Sequence, residues 1–176
     1  MVNEVVVLAL LQQGPRHGYR LLKEAHQLIG PEETLDPKRL YPTLRRLEAE
    51  GRIVSHPEPS ALPGRPARKV YRLTAEGTRQ LQALVADPGN ADDRRRFFLA
   101  LALLDLVPPA DRRRLLDQRL VWLDRERERL GSIAARPVRT RWSAAVLAFQ
   151  TEELEHEYRW IRELCAENEA DEARRP

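Results

Sequence analysis

Hydrophobic and polar residues follow one another in a pattern that predicts three helices at the start of the chain. Val2–Gln12 is almost entirely apolar, and the Gly14-Pro15 pair ends this helix with a turn signal. Apolar residues at helical spacing predict a second helix from about His17 to Ile29. A third helix is expected to begin at Asp36-Pro37, because aspartate suits the N-cap and proline suits the first helical position.

The predicted third helix has two different faces. At about 100° per residue, Leu40, Leu44 and Leu47 form one apolar row, the leucine stripe. The opposite side is mostly cationic and holds Lys38, Arg39, Pro42, Arg45 and Arg46. Such a helix suits a negatively charged partner, and the major groove of DNA admits one helix. Because Pro42 lacks an amide hydrogen, we expect it to bend or tighten the first turn.

A small hairpin is predicted after the third helix, which Gly51 ends as a C-terminal cap. Arg52–His56 and Lys69–Leu73 have the character of two antiparallel strands. The segment between them opposes regular structure and predicts a long loop, since it contains Pro57, Pro59, Pro63, Gly64 and Pro66. Thr74 then caps a fourth helix. This order predicts a winged helix-turn-helix domain with a two-stranded antiparallel β-wing.

The second half of the chain is predicted to be all helical, after a linker at residues 87–90. Helices are expected from Asp92 to Leu106, from Asp111 to Leu130 and from about Arg141 to Glu167. The last carries a heptad-like seam of Ala144, Leu147, Thr151, Leu154, Tyr158, Ile161 and Cys165. Packing within one subunit is the commoner explanation of such a seam, but we expect it to serve a homodimer with a two-fold axis.

The expected fold class is therefore mainly α, with a winged helix-turn-helix domain at residues 1–86 and a helical dimerisation domain at residues 91–168. Residues 169–176 are expected to be a disordered tail. The residues assigned to the dimer interface are Phe97, Leu101, Leu147, Leu154, Tyr158 and Ile161.

Positive charge is concentrated in the first half of the chain, although the net charge is only +3. Residues 1–85 contain 13 Lys and Arg against 9 Asp and Glu, whereas residues 86–176 contain 17 against 18. The segment 38–72 alone has 9 basic and 3 acidic residues. This distribution is typical of a polyanion binder. Arginine outnumbers lysine 27 to 3 throughout, however, so genome composition also explains part of the arginine content.

Several classes of protein are disfavoured by the sequence. No amino-terminal segment has the character of a signal peptide, and the longest later apolar run, Phe97 to Leu104, is far below the ~20 residues of a membrane span. We expect a cytoplasmic protein that does not enter membranes. The single cysteine, Cys165, and the four scattered histidines predict neither a metal site nor a cofactor. No phosphate loop or nucleophile elbow is present, so an enzyme is not expected.

Several short motifs follow one another in a characteristic order over the first half of the chain. They are Leu10-Leu11, Gly14-Pro15, His17-Gly18-Tyr19, Leu40-Tyr41-Pro42-Thr43-Leu44-Arg45-Arg46-Leu47-Glu48, Glu50-Gly51, Gly64-Arg65-Pro66, Tyr71-Arg72-Leu73-Thr74 and Glu76-Gly77. Their order and spacing resemble the PadR family of bacterial transcriptional regulators. The second half is similar only in general character, since that family often adds a helical carboxy-terminal domain. The resemblance implies a dimeric repressor that binds an inverted-repeat operator and releases it when a small molecule binds.

The resemblance also implies which residues meet double-stranded DNA. Those from the helix-turn-helix are Tyr19, Arg39, Tyr41, Thr43 and Arg45, and those from the wing are Arg65, Arg68 and Lys69. The charged face of the third helix adds Lys38 and Arg46. Arg45 is long enough to bond guanine but equally suits a phosphate. Tyr41 either reaches a phosphate or packs its ring inside, and His17 more often caps or packs than touches DNA.

Two further interpretations follow from the helical half. The resemblance implies a small aromatic effector, and Trp122, Trp142 and Trp160 are its candidate contacts, although tryptophans in long helices usually serve packing. The run Arg94-Arg95-Arg96 is expected to be a solvated helix start with local ion pairs rather than a DNA contact. The alternative function for the whole chain is a winged-helix module that binds another protein and not DNA.

Overall fold

The computed structural model describes residues 2–29, 36–59, 68–136 and 140–174, apart from the side chains of residues 26–29 and 172. The chain divides into two compact units, residues 1–85 and 86–176. Mostly helical structure with one small antiparallel sheet confirms the predicted fold class.

The described residues of the first unit form four α-helices and three short strands. In chain order they are α1 (Val2–Gln12), β1 (Arg16–His17), α2 (Gly18–Ile29), α3 (Pro37–Ala49), β2 (Ile53–Glu58), β3 (Arg68–Leu73) and α4 (Ala75–Val85). The sheet order is β1-β3-β2, and both strand pairs are antiparallel. The predicted two-stranded antiparallel wing, β2 with β3, is confirmed, and β1 adds a third strand that was not predicted. β1 is only two residues long, too short for any alternation of polar and apolar residues to reveal it.

Strand β2 extends further than predicted. It continues through Pro57 to Glu58, and Pro57 lies opposite Lys69 of β3. The sequence pattern places Pro57 in the loop, because proline cannot donate a hydrogen bond to a sheet. β2 is an edge strand in the sheet order, and edge strands tolerate proline. The predicted loop residues Pro63, Gly64 and Pro66 lie outside the described residues.

The core of the first unit forms around α1 and the leucine stripe. The stripe is 0–1% exposed, and the residues from Val5 to Leu11 on α1 are also buried. The Asp36 carboxylate accepts a hydrogen bond of 2.8 Å from the amide of Arg39, and Pro37 occupies the first turn. The predicted start and inner face of this helix are therefore confirmed. α3 also continues through Pro42.

Helix α4 packs closely on the turn that follows α3. The Thr74 hydroxyl accepts a hydrogen bond of 3.0 Å from the amide of Gly77, as expected of an N-cap. The same hydroxyl lies 2.8 Å from the carbonyl oxygen of Gly51 and 2.9 Å from that of Arg52. A Cβ atom at position 77 would stand 2.0 Å from the Arg52 carbonyl oxygen. Only glycine allows this approach.

In the second unit, the residues outside the gap at 137–139 and the last two positions form three α-helices and two single 3₁₀ turns. The helices are α5 (Arg94–Leu101), α6 (Pro109–Ala134) and α7 (Arg141–Ala173), and the turns cover Pro88–Asn90 and Leu104–Leu106. The helix predicted from Asp92 to Leu106 is thus a shorter helix plus a separate turn. α7 is longer than predicted and reaches into the segment expected to be a disordered tail. Residues 166–173 are mainly alanine and glutamate, which have high helix propensity and extend α7.

An arginine lies at the centre of the second unit. Arg119 on α6 is 0% exposed, and its guanidinium lies between the rings of Phe97 and Trp122, at 4.9 and 4.2 Å from their centroids. It donates to the Glu157 carboxylate on α7 at 2.8 Å and to the Ala91 carbonyl oxygen at 2.7 Å. This buried arginine joins α5, α6, α7 and the first residues of the unit.

Two of the residues assigned to the dimer interface are buried within the protomer. Phe97 and Ile161 are both 0% exposed, so neither belongs to an outer surface. Part of the seam on α7 is covered by α6 of the same chain. The large apolar residues that are exposed on α7 are instead Trp142, Val146 and Phe149, at 74%, 56% and 61%. We call these three residues the apolar stripe.

We predict that Gly77→Ala destabilises the first unit by about 2–3 kcal/mol, because the added methyl group overlaps a backbone oxygen that cannot move freely. Gly131→Ala is the matched control. No atom lies within 4 Å of a Cβ at this helical position, and alanine favours the helix by about 0.5 kcal/mol. Calorimetric unfolding of both variants checks this. Equal stability of the two variants would contradict it.

We predict that Glu157→Ala destabilises the second unit by about 3–5 kcal/mol, because it leaves the Arg119 charge buried without its partner. The double variant Arg119→Met with Glu157→Leu is expected to lose much less stability, since it removes both charges. Urea unfolding followed through tryptophan fluorescence measures the difference, since all three tryptophans lie in the second unit. A double variant less stable than Glu157→Ala would be the contrary result.

Candidate nucleic-acid interface

Helix α3 presents three cations that have no ionic partner within the described part of the chain. Lys38, Arg39 and Arg45 are exposed and form no ion pair there. We call them the outward cations. They lie on the side of α3 away from the leucine stripe, as the pattern of residues predicts. Cations without internal partners are available to a polyanion at little cost, because no existing ion pair has to break.

Arg46 has a different role from the one predicted. Its guanidinium donates to the Glu4 carboxylate on α1 at 2.7 Å and to Glu50 at 3.1 Å. The hydrogen bond with Glu4 is the main cause of a raised pKa for Arg46. Glu4 also accepts from Arg52 at 2.5 Å. Arg46 is therefore engaged inside the first unit, and we no longer assign it to the DNA surface.

Thr43 and Tyr41 stand beside the outward cations. The Thr43 hydroxyl donates to the Arg39 carbonyl oxygen at 2.8 Å, so its proton is already used within the helix. Tyr41 is 44% exposed. A Cβ added to Gly18 would lie 3.2 Å from Cε1 of Tyr41, so the ring rests on the start of α2. One side of the Tyr41 ring therefore packs and the rest is exposed, and its contact with a phosphate stays a prediction.

The loop end of the hairpin adds two more cations. Arg68 and Lys69 are exposed at the start of β3, and Lys69 Nζ lies 3.7 Å from a carboxylate oxygen of Glu48. Glu48 also accepts a hydrogen bond from the Ser55 hydroxyl. Arg65, the cation predicted for the tip of the wing, lies outside the described residues.

A cleft of about 940 Å³ opens between the start of α2, the flank of α3 and β3. The aromatic residues that line it are Tyr19, Tyr41 and Tyr71, and we call this cleft the tyrosine cleft. Tyr19 is 74% exposed, whereas Tyr71 is 6% exposed. Burial is the main cause of a raised pKa for the Tyr71 phenol, which therefore stays protonated at neutral pH. Sequence reasoning foresaw Tyr19 and Tyr41 as separate contacts and did not foresee the cleft.

The pairing of β1 with β3 explains how the cleft arises. Arg16 and His17 lie opposite Tyr71 and Val70, which brings β3 beside the start of α2. His17 Nε2 lies 3.0 Å from the Glu58 carboxylate, so His17 links β1 to the edge strand of the hairpin. Without a visible signal for β1, the sequence gives no reason to place Tyr71 near Tyr19.

Glu24 is the carboxylate in the lining of the cleft, and two arginines hold it. It accepts from Arg16 at 2.9 Å and from Arg20 at 2.6 Å. These hydrogen bonds, that of Arg16 first, lower the pKa of Glu24. The negative charge of Glu24 is therefore compensated on the protein.

The three tryptophans of the second unit have different surroundings. Trp122 lies against Arg119, Trp160 stacks on Phe98 with ring centroids 5.8 Å apart, and Trp142 is mostly exposed with Arg141 beside it. The described contacts do not bring the three into one site. The prediction of local ion pairs for the arginine run holds for Arg96, which pairs with Asp93 at 3.9 Å, but not for Arg94, which reaches Glu153 on α7 at 3.6 Å.

Across the described ranges, no three His, Cys, Asp or Glu side chains come together in a way that could hold a metal ion. None of the helices in these ranges combines the length and the apolar character needed to cross a membrane.

Known proteins similar to this chain are regulators. A family model described as the transcriptional regulator PadR-like family matches residues 7–83. Transcriptional regulator Rv3488 of Mycobacterium tuberculosis is 44% identical over 75 residues, which are 43% of this chain and 54% of the relative. The match thus spans about half the length of that curated relative.

Two PadR regulators are among the solved structures that resemble this chain, and both have low TM-scores. One is a PadR family regulator from Eggerthella lenta, 35% identical, with 46% of this chain and 68% of the other covered and a TM-score of 0.39. The other is Bacillus subtilis PadR bound to operator DNA, 20% identical, with 96% and 99% covered and a TM-score of 0.45. The family match, which lies within the first unit, and the motifs it spans make residues 7–83 similar to the PadR-like family of transcriptional regulators.

Proposed function

We propose that this protein is a sequence-specific DNA-binding transcriptional regulator, acting as a homodimeric repressor at an inverted-repeat operator. The observation that carries the proposal is the set of outward cations on α3, which are exposed and unpaired within the described residues, in a chain similar to a family of transcriptional regulators. Arg68 and Lys69 extend the positive surface onto the hairpin. Together they form one surface suited to the phosphates of a duplex.

Each part of this surface has a distinct chemical task. A guanidinium such as that of Arg45 forms two parallel hydrogen bonds with guanine or clamps a phosphate. On the flank of α3, the Tyr41 phenol is a suitable partner for a phosphate. The Thr43 methyl group is a suitable partner for a thymine methyl group. Arg68 and Lys69 act as phosphate contacts from the hairpin. The contact of Arg65 with DNA stays a prediction.

A module that binds another protein instead of DNA is the alternative. The core of a protein–protein interface is depleted of charge and carries apolar anchors. The outward cations have the opposite character, and the leucines of α3 are already buried. The exposed face of α3 therefore favours a polyanion.

The dimer part of the proposal rests on the apolar stripe of α7. Trp142, Val146 and Phe149 are spaced by four and three residues, so they share one side of the helix. Leaving three large apolar side chains more than half exposed is unfavourable in water, and a second copy of α7 would cover them. A two-fold axis would also present two α3 helices to two half-sites about 34 Å apart, or a multiple of that distance.

Release by a small aromatic effector completes the proposal. Bacillus subtilis PadR has been solved with p-coumaric acid. In the present chain, the stacked pair of Phe98 and Trp160 and the exposed Trp142 are candidates for such a contact in the second unit. A Trp160→Leu variant that alters induction without changing operator affinity would support that assignment, since Trp160 lies outside the apolar stripe.

We predict that Arg39→Gln or Arg45→Gln weakens binding to DNA fragments selected from a random pool. A variant that loses a phosphate contact should also lower the slope of log affinity against log salt by about 0.9. If Arg45 contacts a guanine instead, its variant should relax the selected sequence at one base pair by about 1–3 kcal/mol. Fluorescence anisotropy over a salt series measures both effects.

Two control variants accompany this experiment. Arg79→Gln removes an exposed cation on α4 that pairs with Glu76 and should leave the slope unchanged. Arg46→Gln should lower the stability of the first unit but preserve the slope, because Arg46 is bound to Glu4. DNA binding that does not depend on salt, or an equal effect of all four variants, would argue for the protein-binding alternative.

We predict that Phe149→Glu raises the dimer dissociation constant by about 30-fold or more, since loss of a buried aromatic anchor costs about 2 kcal/mol at an interface. Gln150→Glu adds the same charge one residue further along α7 and should have little effect. Analytical ultracentrifugation over a range of concentrations measures both variants. Two equally strong dimers would show that the apolar stripe is not the interface.

A further inference from the structure

His17 and Glu58 meet at the loop end of the hairpin, and the proposed DNA contacts use neither of them. We infer that His17 is a positioning residue for DNA binding, which in its protonated form holds the Glu58 carboxylate and offsets its charge beside the phosphates. DNA binding therefore takes up a proton and weakens as the pH rises. The inference rests on the proposed function, because it assigns regulation by pH to the same surface.

The contact between His17 and Glu58 spans the middle strand of the sheet. His17 of β1 lies opposite Val70, and Glu58 of β2 lies opposite Arg68, two positions away along β3. Residues that are opposite one another or two apart on a strand point to the same face, so these four side chains share one face. Nε2 of His17 lies 3.0 Å from a carboxylate oxygen of Glu58. The two outer strands are thereby joined where the hairpin loop begins.

Glu58 differs from the other carboxylates around the proposed DNA surface in the kind of partner that it has. Glu24 is held by two arginines, and Glu48 lies within ion-pair distance of Lys69. Arginine and lysine side chains ordinarily keep their charge at neutral pH. Glu58, in contrast, forms an ion pair with His17 alone among the residues that the structure describes. Whether its charge is compensated therefore depends on the protonation of a histidine.

An uncompensated charge on Glu58 acts directly against DNA. The side chain of Glu58 is 57% exposed and stands opposite Arg68, which is proposed to contact a phosphate. Like charges that are a few ångströms apart repel each other more strongly near a protein surface than in bulk water. A protonated His17 offsets this repulsion, whereas a neutral His17 leaves it in place.

The other groups around His17 do not remove this dependence on pH. The cations of β1, α2 and β3 that surround it are Arg16, Arg20, Lys23, Arg68 and Lys69. The remaining titratable neighbours are Glu24, the tyrosines of the tyrosine cleft, and His56, which lies opposite Val70 from β2. Among these residue types, only histidine ordinarily changes its charge between about pH 5 and 8.

The ring of His17 is held on one side only. Its Nδ1 atom is buried and has no hydrogen-bond partner in the part of the chain that the structure describes. No neighbour therefore fixes a proton on that side of the ring. The contact that responds to the charge of His17 is the one with Glu58.

The direction of the effect follows from linkage between the proton and DNA. If the protonated form of His17 favours the complex, bound DNA favours the proton by the same factor. The affinity for DNA is therefore greatest when His17 is protonated and falls as the pH rises through its titration. Because exposed ion pairs are weak, the expected change is about three- to fivefold.

The test measures the dissociation constant of the full chain for a selected DNA fragment by fluorescence anisotropy, from about pH 6 to about pH 8 at constant salt. The constant of the unchanged protein should rise about three- to fivefold over this range. His17→Gln should bind as the unchanged protein does at high pH, and Glu58→Gln as it does at low pH, both without dependence on pH. A contact with a purely structural role would instead weaken DNA binding in both variants alike.

His56→Gln is the matched control, because it removes the other histidine that lies opposite Val70. It should retain the pH dependence. Circular dichroism shows whether each variant is folded. If His17→Gln does not fold, Glu58→Gln still decides the matter, since its side chain is exposed and its substitution removes the same ion pair.

The outcomes separate this inference from the proposed function. Loss of the pH dependence in both variants, with opposite effects on affinity, supports the inference. DNA binding that does not depend on pH, a dependence retained in Glu58→Gln, or a dependence lost only in His56→Gln would overturn it and leave the regulator intact. No DNA binding at any pH would refute the regulator and this inference with it.

Discussion

The orientation of α3 depends on one nearly buried carboxylate. Glu4 on α1 is 8% exposed and binds Arg46 near the end of α3 and Arg52 in the following turn. A carboxylate taken out of water without partners is unfavourable, so the two ion pairs are kept together. They fix the rotation of α3 about its own axis while the leucine stripe fills the core. That rotation directs the outward cations to solvent, and the proposed function depends on it.

Much of the first unit could be predicted because its signals are local. Asp36 and Pro37 mark the start of α3, the leucine stripe marks its inner face, and Thr74 marks the start of α4. Each of these is a property of a few neighbouring residues and of the 3.6-residue helical repeat. The outward cations could be identified for the same reason. A residue opposite a buried stripe is exposed unless another element covers it.

The remaining features depend on contacts between distant residues, which periodicity does not contain. Arg46 looks like its neighbour Arg45 in the sequence, but Glu4 lies 42 positions away and binds only one of them. The tyrosine cleft depends on two residues of β1 meeting β3. In the second unit, the heptad-like seam could serve either α6 of the same chain or a second copy, and Phe97 and Ile161 are buried within the chain. The spacing of apolar residues along α7 does not show whether they pack against α6 of the same chain or against a second copy.

The edges of the three-stranded sheet have a consequence for how the protein behaves at high concentration. An exposed strand with free amide and carbonyl groups can recruit a strand from another molecule and begin aggregation. On one side the sheet ends at β1, which is only two residues long. On the other side it ends at β2, where Pro57 lacks an amide hydrogen and Glu58 adds a charge. A regulator of this build can expose its hairpin to solvent while neither edge offers a long continuous template for fibril growth.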